Sequence, residues 1–160
     1  MTWHPPGFKK GKNLAEDDGS TRYCFGCGDL NPQGLHLSFR IEGRRAIAEF
    51  TPSPVHQGWP GVVHGGLVAA LLDEAMGWAL VAVDAWAVTA KLELRLRHPL
   101  AVGTPVQVSA QVANDRGRTL ELRGEIRDGE GRLLAEAEAV FVRAPQEREQ
   151  ELRAFYGLEG

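Results

Sequence analysis

Residues Val62 to Val83 read VVHGGLVAALLDEAMGWALVAV. From Gly65 to Val83 the only polar residues are the neighbours Asp73 and Glu74. A helix on a protein surface carries a broad polar face. This run has none, which predicts a helix buried nearly all round. Its length alone would suit a membrane span, but two central carboxyl groups together with Gly65, Gly66 and Gly77 make insertion into lipid expensive. The run therefore reads as the core helix of a soluble domain, with no membrane partner.

The helix start carries as much information as its middle. His64-Gly65-Gly66 leaves the backbone N–H groups of the first turn uncovered by side chains, and such an end favours an anion or a developing oxyanion. The plainer alternative is that the glycines only let the helix begin close to a strand. At helical spacing Asp73 shares a face with Gly66, Ala69, Ala70, Gly77 and Leu80, a groove of small residues beside an acid. Glu74 points about 100° away, over Leu67, Leu71, Trp78 and Val81. A carboxylate among apolar groups needs a partner or a raised pKa, and the second is what a general base near neutral pH requires; the alternative is a structural carboxylate capping a loop.

The chain has 160 residues, one domain with length enough for a core, and a net charge of −3 from 18 basic and 21 acidic residues spread along it. That balance gives no surface suited to nucleic acid. The start, MTWHPPGFKKGKN, lacks the apolar run of a secretion signal, so a cytoplasmic protein is expected. Cys24 and Cys27 form a single CxxC without a second pair, read as reduced structural thiols in preference to zinc ligands, and no metal is called.

Residues 1–22 are rich in Pro, Gly, Lys and Asp and read as an arm, 23–145 as the folded domain, and 146–160 as a C-terminal helix with Leu152, Phe155 and Tyr156 on its contact face. Leu35, Leu37, Phe39 and Ile41 alternate with polar residues, His36 among the exposed ones, and Glu42-Gly43 turns this strand into Arg45 to Thr51. The segment 52–61, PSPVHQGWPG, is a rigid loop in which Trp59 reads as loop packing. After the helix come strands over Val88 to His98, Val106 to Val112, Leu120 to Ile126 and Leu133 to Val142, the last three antiparallel neighbours. In the first of them Val88, Ala90, Leu92, Leu94 and Leu96 are expected to face the helix, leaving Thr89, Lys91, Glu93, Arg95 and Arg97 outside. The order ββαββββ around one apolar helix predicts an α+β fold, a curved antiparallel sheet of about six strands wrapped around that helix.

HGG followed by an acid seven positions on, the strand VTAKLELRLRHP after the helix and CFGCGDLNPQGLHL before it together resemble the hotdog-fold acyl-CoA thioesterases. The similarity, from about Cys24 to Arg143, is to the phenylacetate-operon (PaaI) and THEM-like branch of the 4-hydroxybenzoyl-CoA thioesterase superfamily. The resemblance implies hydrolysis of an acyl-CoA thioester with Asp73 as base or nucleophile, the Gly65 N–H as oxyanion donor, His64 holding that turn, Thr89 near the thioester and Gln57 (or His56) placing water. It also implies coenzyme A along the outer face of the strand after the helix, with Lys91, Arg95, Arg97, Arg116 and Arg118 as phosphate contacts, and no cofactor. An enoyl-CoA hydratase on the same fold, pairing His56 with Glu74, and a non-catalytic acyl-CoA binder are the other readings.

One consequence is geometric. Gly65 and Asp73 are eight residues apart on one helix, which separates them by about 12 Å along its axis. No single thioester carbon meets both. The expectation is a homodimer with shared active sites, or a dimer of such dimers, in which Gly65 of one chain approaches Asp73 of the other.

Overall fold

A computed structural model describes residues 22–155; the expected arm, apart from Arg22, and the side chains of Phe155 and Tyr156 lie outside the described residues. The strands β1 (Arg40–Glu42), β2 (Arg45–Phe50), β3 (Ala87–Leu96), β4 (Val106–Asp115), β5 (Thr119–Asp128) and β6 (Leu133–Arg143) form one antiparallel sheet in the order β1-β2-β4-β5-β6-β3. Helix α1 (Gly65–Ala79), prolonged by a 3-10 turn at Leu80–Val83, lies in its curve, and α2 (Gln146–Phe155) follows β6. Arg153 of α2 pairs with Asp84 at 3.1 Å and stacks over the Trp86 ring, seating that helix at the far end of α1.

The apolar run of α1 has the length and composition of a membrane span, yet its Leu71, Leu72, Ala75, Met76 and Ala79 are fully buried against the sheet. Each such leucine contributes roughly 1.5–3 kcal/mol relative to exposure. Helix and sheet approach closely where β5 carries Gly124: a Cβ there would lie 3.2 Å from Leu72 Cδ2. The helix is not buried all round, however. Ala69, Ala70, Asp73 and Gly77 form a half-buried strip, from which Asp73 reaches the edge strand β3.

Two expectations change. Leu35, Leu37 and Phe39 are buried and His36 is exposed, but only Arg40–Glu42 pairs with β2. His36 adopts φ 52, which breaks the extended run, and the N–H groups of Leu35 and Leu37 instead bond Phe25 O at 2.7 Å and Gly26 O at 2.9 Å. The cysteine loop thereby becomes a second layer on this side of α1. Trp59 is 81% exposed rather than packed on its loop, at a tight turn in which Val62 N–H bonds Trp59 O.

The third change decides the site. Along β3, Thr89 pairs with Phe141, Lys91 with Val140 and Leu92 with Ala139, so Ala90 is an extra, bulged residue. Strict alternation would put Thr89 outside and Val88 inside. With the bulge, Thr89 and Leu92 share the inner face although three positions apart, and Val88 is left 67% exposed.

Candidate active site

Helix α1 begins at its His64 cap. The His64 imidazole Nδ1 accepts the Gly66 N–H at 2.9 Å, while the His64 carbonyl accepts the N–H groups of Leu67 and Val68. His64 itself is anchored through its own N–H to His56 O at 2.9 Å. Of the first-turn donors, this leaves the Gly65 N–H without a partner among the described residues. The run of residues by itself leaves all of the first-turn N–H groups open; the capping histidine engages that of Gly66 and leaves that of Gly65. A Cβ at Gly65 would stand 3.3 Å from Leu96 Cδ1, so this end of α1 lies beside the last residue of β3.

Two turns on, Asp73 meets the other end of the same strand. The Thr89 hydroxyl donates to Asp73 Oδ1 at 2.7 Å, a hydrogen bond to a charged group that fixes the carboxylate's orientation. Because α1 and β3 run antiparallel along each other, Gly65 sits by Leu96 and Asp73 by Thr89. β3 is the sheet's edge strand and has no partner on its free side among the described residues. Leu96 is 55% exposed there, like Val88.

Gln57 stands with the Gly65 end, through its backbone bridge to Val63. Its Oε1 accepts the Gly61 N–H at 3.2 Å, which leaves the amide NH2 as the group able to hold a water. His56 is occupied by the loop: Nδ1 accepts the Ser53 N–H at 3.0 Å and the ring packs on Phe50. Glu74 is engaged elsewhere, with Trp78 Nε1 donating to it at 3.1 Å and Cys24 Sγ lying 3.6 Å from both its oxygens. Burial pushes the Glu74 carboxyl up to about 7, with the Cys24 charge adding to the rise. Its pKa would suit a base, but its oxygens turn toward the cysteine loop. Among the described residues, Cys24, Cys27 and Glu74 are the donors spaced to hold a metal ion together. The spacing of CxxC in the sequence carried no sign of the third donor.

The five expected phosphate contacts do not form one patch within a chain. Lys91 pairs with Glu93 at 2.8 Å and Arg97 with Glu136 at 2.5 Å, both on the outer sheet face. Arg95 lines a trough of about 560 Å³ on that face together with Arg45, Arg123, Glu93, Glu125 and Glu136. Arg116, paired with Glu121 at 2.6 Å, and Arg118 belong to the β4–β5 turn. That turn is bonded to Arg143 beside Ala87, the opposite end of β3 from Arg97. Arg97 N–H bonds Leu134 O, and Arg118 O accepts from Arg143, nine residues further along β6. At about 3.3 Å per residue the two sites are roughly 30 Å apart.

Six antiparallel strands curled over one central helix, with a glycine pair at the helix start and a hydroxyl-bonded carboxylate two turns in, define a hotdog-fold protein. The Thioesterase superfamily model matches residues 60–135, somewhat less than half of the chain. Acyl-coenzyme A thioesterase THEM4 of Xenopus laevis is 27% identical over 133 residues, covering 82% of this chain and 54% of that protein; the chain thus spans about half the relative's length. A solved thioesterase superfamily protein is 27% identical with a TM-score of 0.73, over 76% of this chain and 60% of that one. A mutant of the phenylacetic acid degradation protein PaaI from Thermus thermophilus is likewise 27% identical, with a TM-score of 0.63 over 69% and 95% of the two chains.

Proposed function

We propose that the protein hydrolyses an acyl-coenzyme A thioester to the free acid and coenzyme A, in a site made by two chains. The observation that carries this reading is the distribution of the chemistry along one edge strand. A carboxylate held by Thr89 lies at one end of β3, and a Gly65 N–H free to bond an oxyanion lies at the other. Antiparallel pairing of two β3 strands about a two-fold axis near Leu92 and Glu93 brings the Leu96 end of each chain to the Thr89 end of its partner. Gly65 and Gln57 of one chain then face the Asp73 and Thr89 end of the other, twice. The exposed Val88 and Leu96 become covered, and the half-buried small-residue strip of α1 leaves room for an acyl chain.

In this arrangement Asp73 takes a proton from water, or attacks the thioester carbon itself, while Gly65 N–H stabilises the charge developing on the oxygen. Thr89 keeps one carboxylate oxygen engaged so that the other faces the reacting carbon. The same two-fold brings Arg97 of one chain to the end of the joined sheet that carries Arg116 and Arg118 of the other, so the basic residues meet only in the dimer. They would hold the phosphates of coenzyme A, in keeping with the acyl-CoA named for the THEM4 relative.

No observation favours a hydratase, since His56 and Glu74 have different partners and do not address one substrate. The test is release of free thiol from a panel of acyl-CoAs. Thiol release that is abolished in Asp73→Asn is the expected result. Hydration of an enoyl-CoA without thiol release, or binding without turnover, would overturn the reading.

A further inference from the structure

About 100° round α1 from Asp73 lies a second cluster that thioester chemistry does not use. The Cys24 Sγ, the Cys27 Sγ and a Glu74 carboxylate oxygen all lie within 4.8 Å of one another, half-buried between the cysteine loop and the helix. We propose that these three groups bind one divalent cation of the zinc type, with water in the fourth position, and that the cation clasps the Cys24–Gly28 loop to α1.

Three features support a cation rather than a pair of idle thiols. The first is spacing: Cys24 Sγ stands 3.6 Å from both Glu74 oxygens. A tetrahedral zinc with bonds of about 2.3 Å to sulfur and about 2.0 Å to oxygen has S···O edges of about 3.5 Å. The second is the shape of the loop. Gly28 N–H closes the turn on Cys24 O at 2.8 Å, so the loop folds back tightly around its two cysteines. The third is close approach. A Cβ at Gly26 would fall 2.3 Å from Glu74 Cδ, and one at Gly28 would fall 2.3 Å from Arg22 O. Glycine at 26 lets the loop seat over the carboxylate, and glycine at 28 lets it close on its own backbone, so the loop is shaped to bring its sulfurs to Glu74.

The rest of the setting fits a ligand set. Trp78 Nε1 donates to Glu74 Oε1 and orients the carboxylate as an outer partner does for a metal-bound group, and the indole is itself held by stacking on Phe39 at 5.3 Å. Three groups that bind a cation after losing protons converge in a partly desolvated space, where a divalent ion removes their mutual repulsion. Two sulfurs and one oxygen suit zinc better than magnesium or calcium. A Cys24–Cys27 disulfide is the competing use of CxxC; it would need an oxidant and would leave the third, built-in donor without a purpose.

The test uses the full chain, purified with a non-chelating phosphine reductant, stripped with a chelator and titrated with zinc chloride or cobalt chloride. Expected are one saturable equivalent per chain, a rise in Tm on loading that a chelator reverses, and the intense visible absorption of tetrahedral thiolate-bound cobalt. Cys24→Ser and Cys27→Ser should each weaken binding by more than about 100-fold, and Trp78→Phe by about 10-fold. Glu74→Gln, which keeps the bond to Trp78 but loses the charge, should weaken it by about 10-fold or more. The wild-type titration needs no variant to fold. Absence of saturable binding at micromolar metal, an isolated protein two hydrogens lighter from a Cys24–Cys27 disulfide and unable to take metal after reduction, or zinc affinity unchanged in Glu74→Gln would each overturn the proposal.

Discussion

Replacing Gly65 with proline deletes one N–H and little else that α1 needs. Gly65 is the first helical residue after the His64 cap, the position where proline is best tolerated because its missing donor lies outside the helical ladder. His64 already has φ −59 and ψ 131, the extended conformation that a following proline demands. The side-chain atom a new Cβ would press on is the flexible Leu96 Cδ1, at 3.3 Å. Gly65→Pro should therefore fold, keep its far-UV spectrum and lose about 10²- to 10³-fold in kcat, as loss of one oxyanion donor does. Asp73→Ala should lose about 10²- to 10⁴-fold. The two defects lie about 12 Å apart on one helix but in the same site across the two-fold. Co-refolding equal amounts makes half of the dimers mixed, each with one intact and one doubly damaged site, so thiol release should recover to about a quarter of the wild-type level. Differently tagged chains confirm that mixed dimers form. Recovery absent from verified mixed dimers would refute the shared site, as would a monomer of full activity.

Thr89→Val keeps the shape of the residue on the inner face but removes the hydroxyl bonded to Asp73; a bond to a charged group is worth about 1.5–3 kcal/mol, so kcat should fall by roughly 10- to 100-fold with Tm little changed, measured by thiol release and thermal melting. Arg97→Ala and Arg118→Ala should each raise KM for acyl-CoA while leaving activity on a short thioester without the nucleotide unchanged, because phosphate contacts are remote from the reacting carbon; equal losses on both substrates would remove these residues from the coenzyme site. Met76→Ala empties a fully buried position between α1 and the sheet, and urea denaturation should show a loss of about 2–5 kcal/mol.

The central helix and the order of the elements were legible in the sequence because each rests on local pattern. A run with no polar stripe can only be a buried helix, and strands separated by tight turns can only pair with their neighbours. The His64 turn came only through the family resemblance, and the structure builds it locally, His64 Nδ1 accepting the Gly66 N–H. What escaped depended on contacts between distant segments. One extra residue at Ala90 reversed the parity of the start of β3 and turned Thr89 inward to Asp73; alternation has no memory of a bulge, since it is the partner strand's hydrogen bonds that leave one residue out. Glu74 showed itself in the sequence as an acid among apolar residues, but the loop it faces begins 50 residues earlier, and only folding brings Cys24 within 3.6 Å of it. The outer basic residues read as one row along β3 and its following turn, whereas the sheet sets Arg97 and Arg118 at opposite ends. Spacing along a strand records which side a residue faces and how far along it lies; which end meets which is decided by the antiparallel pairing of the strands, and that is a property of the tertiary structure alone.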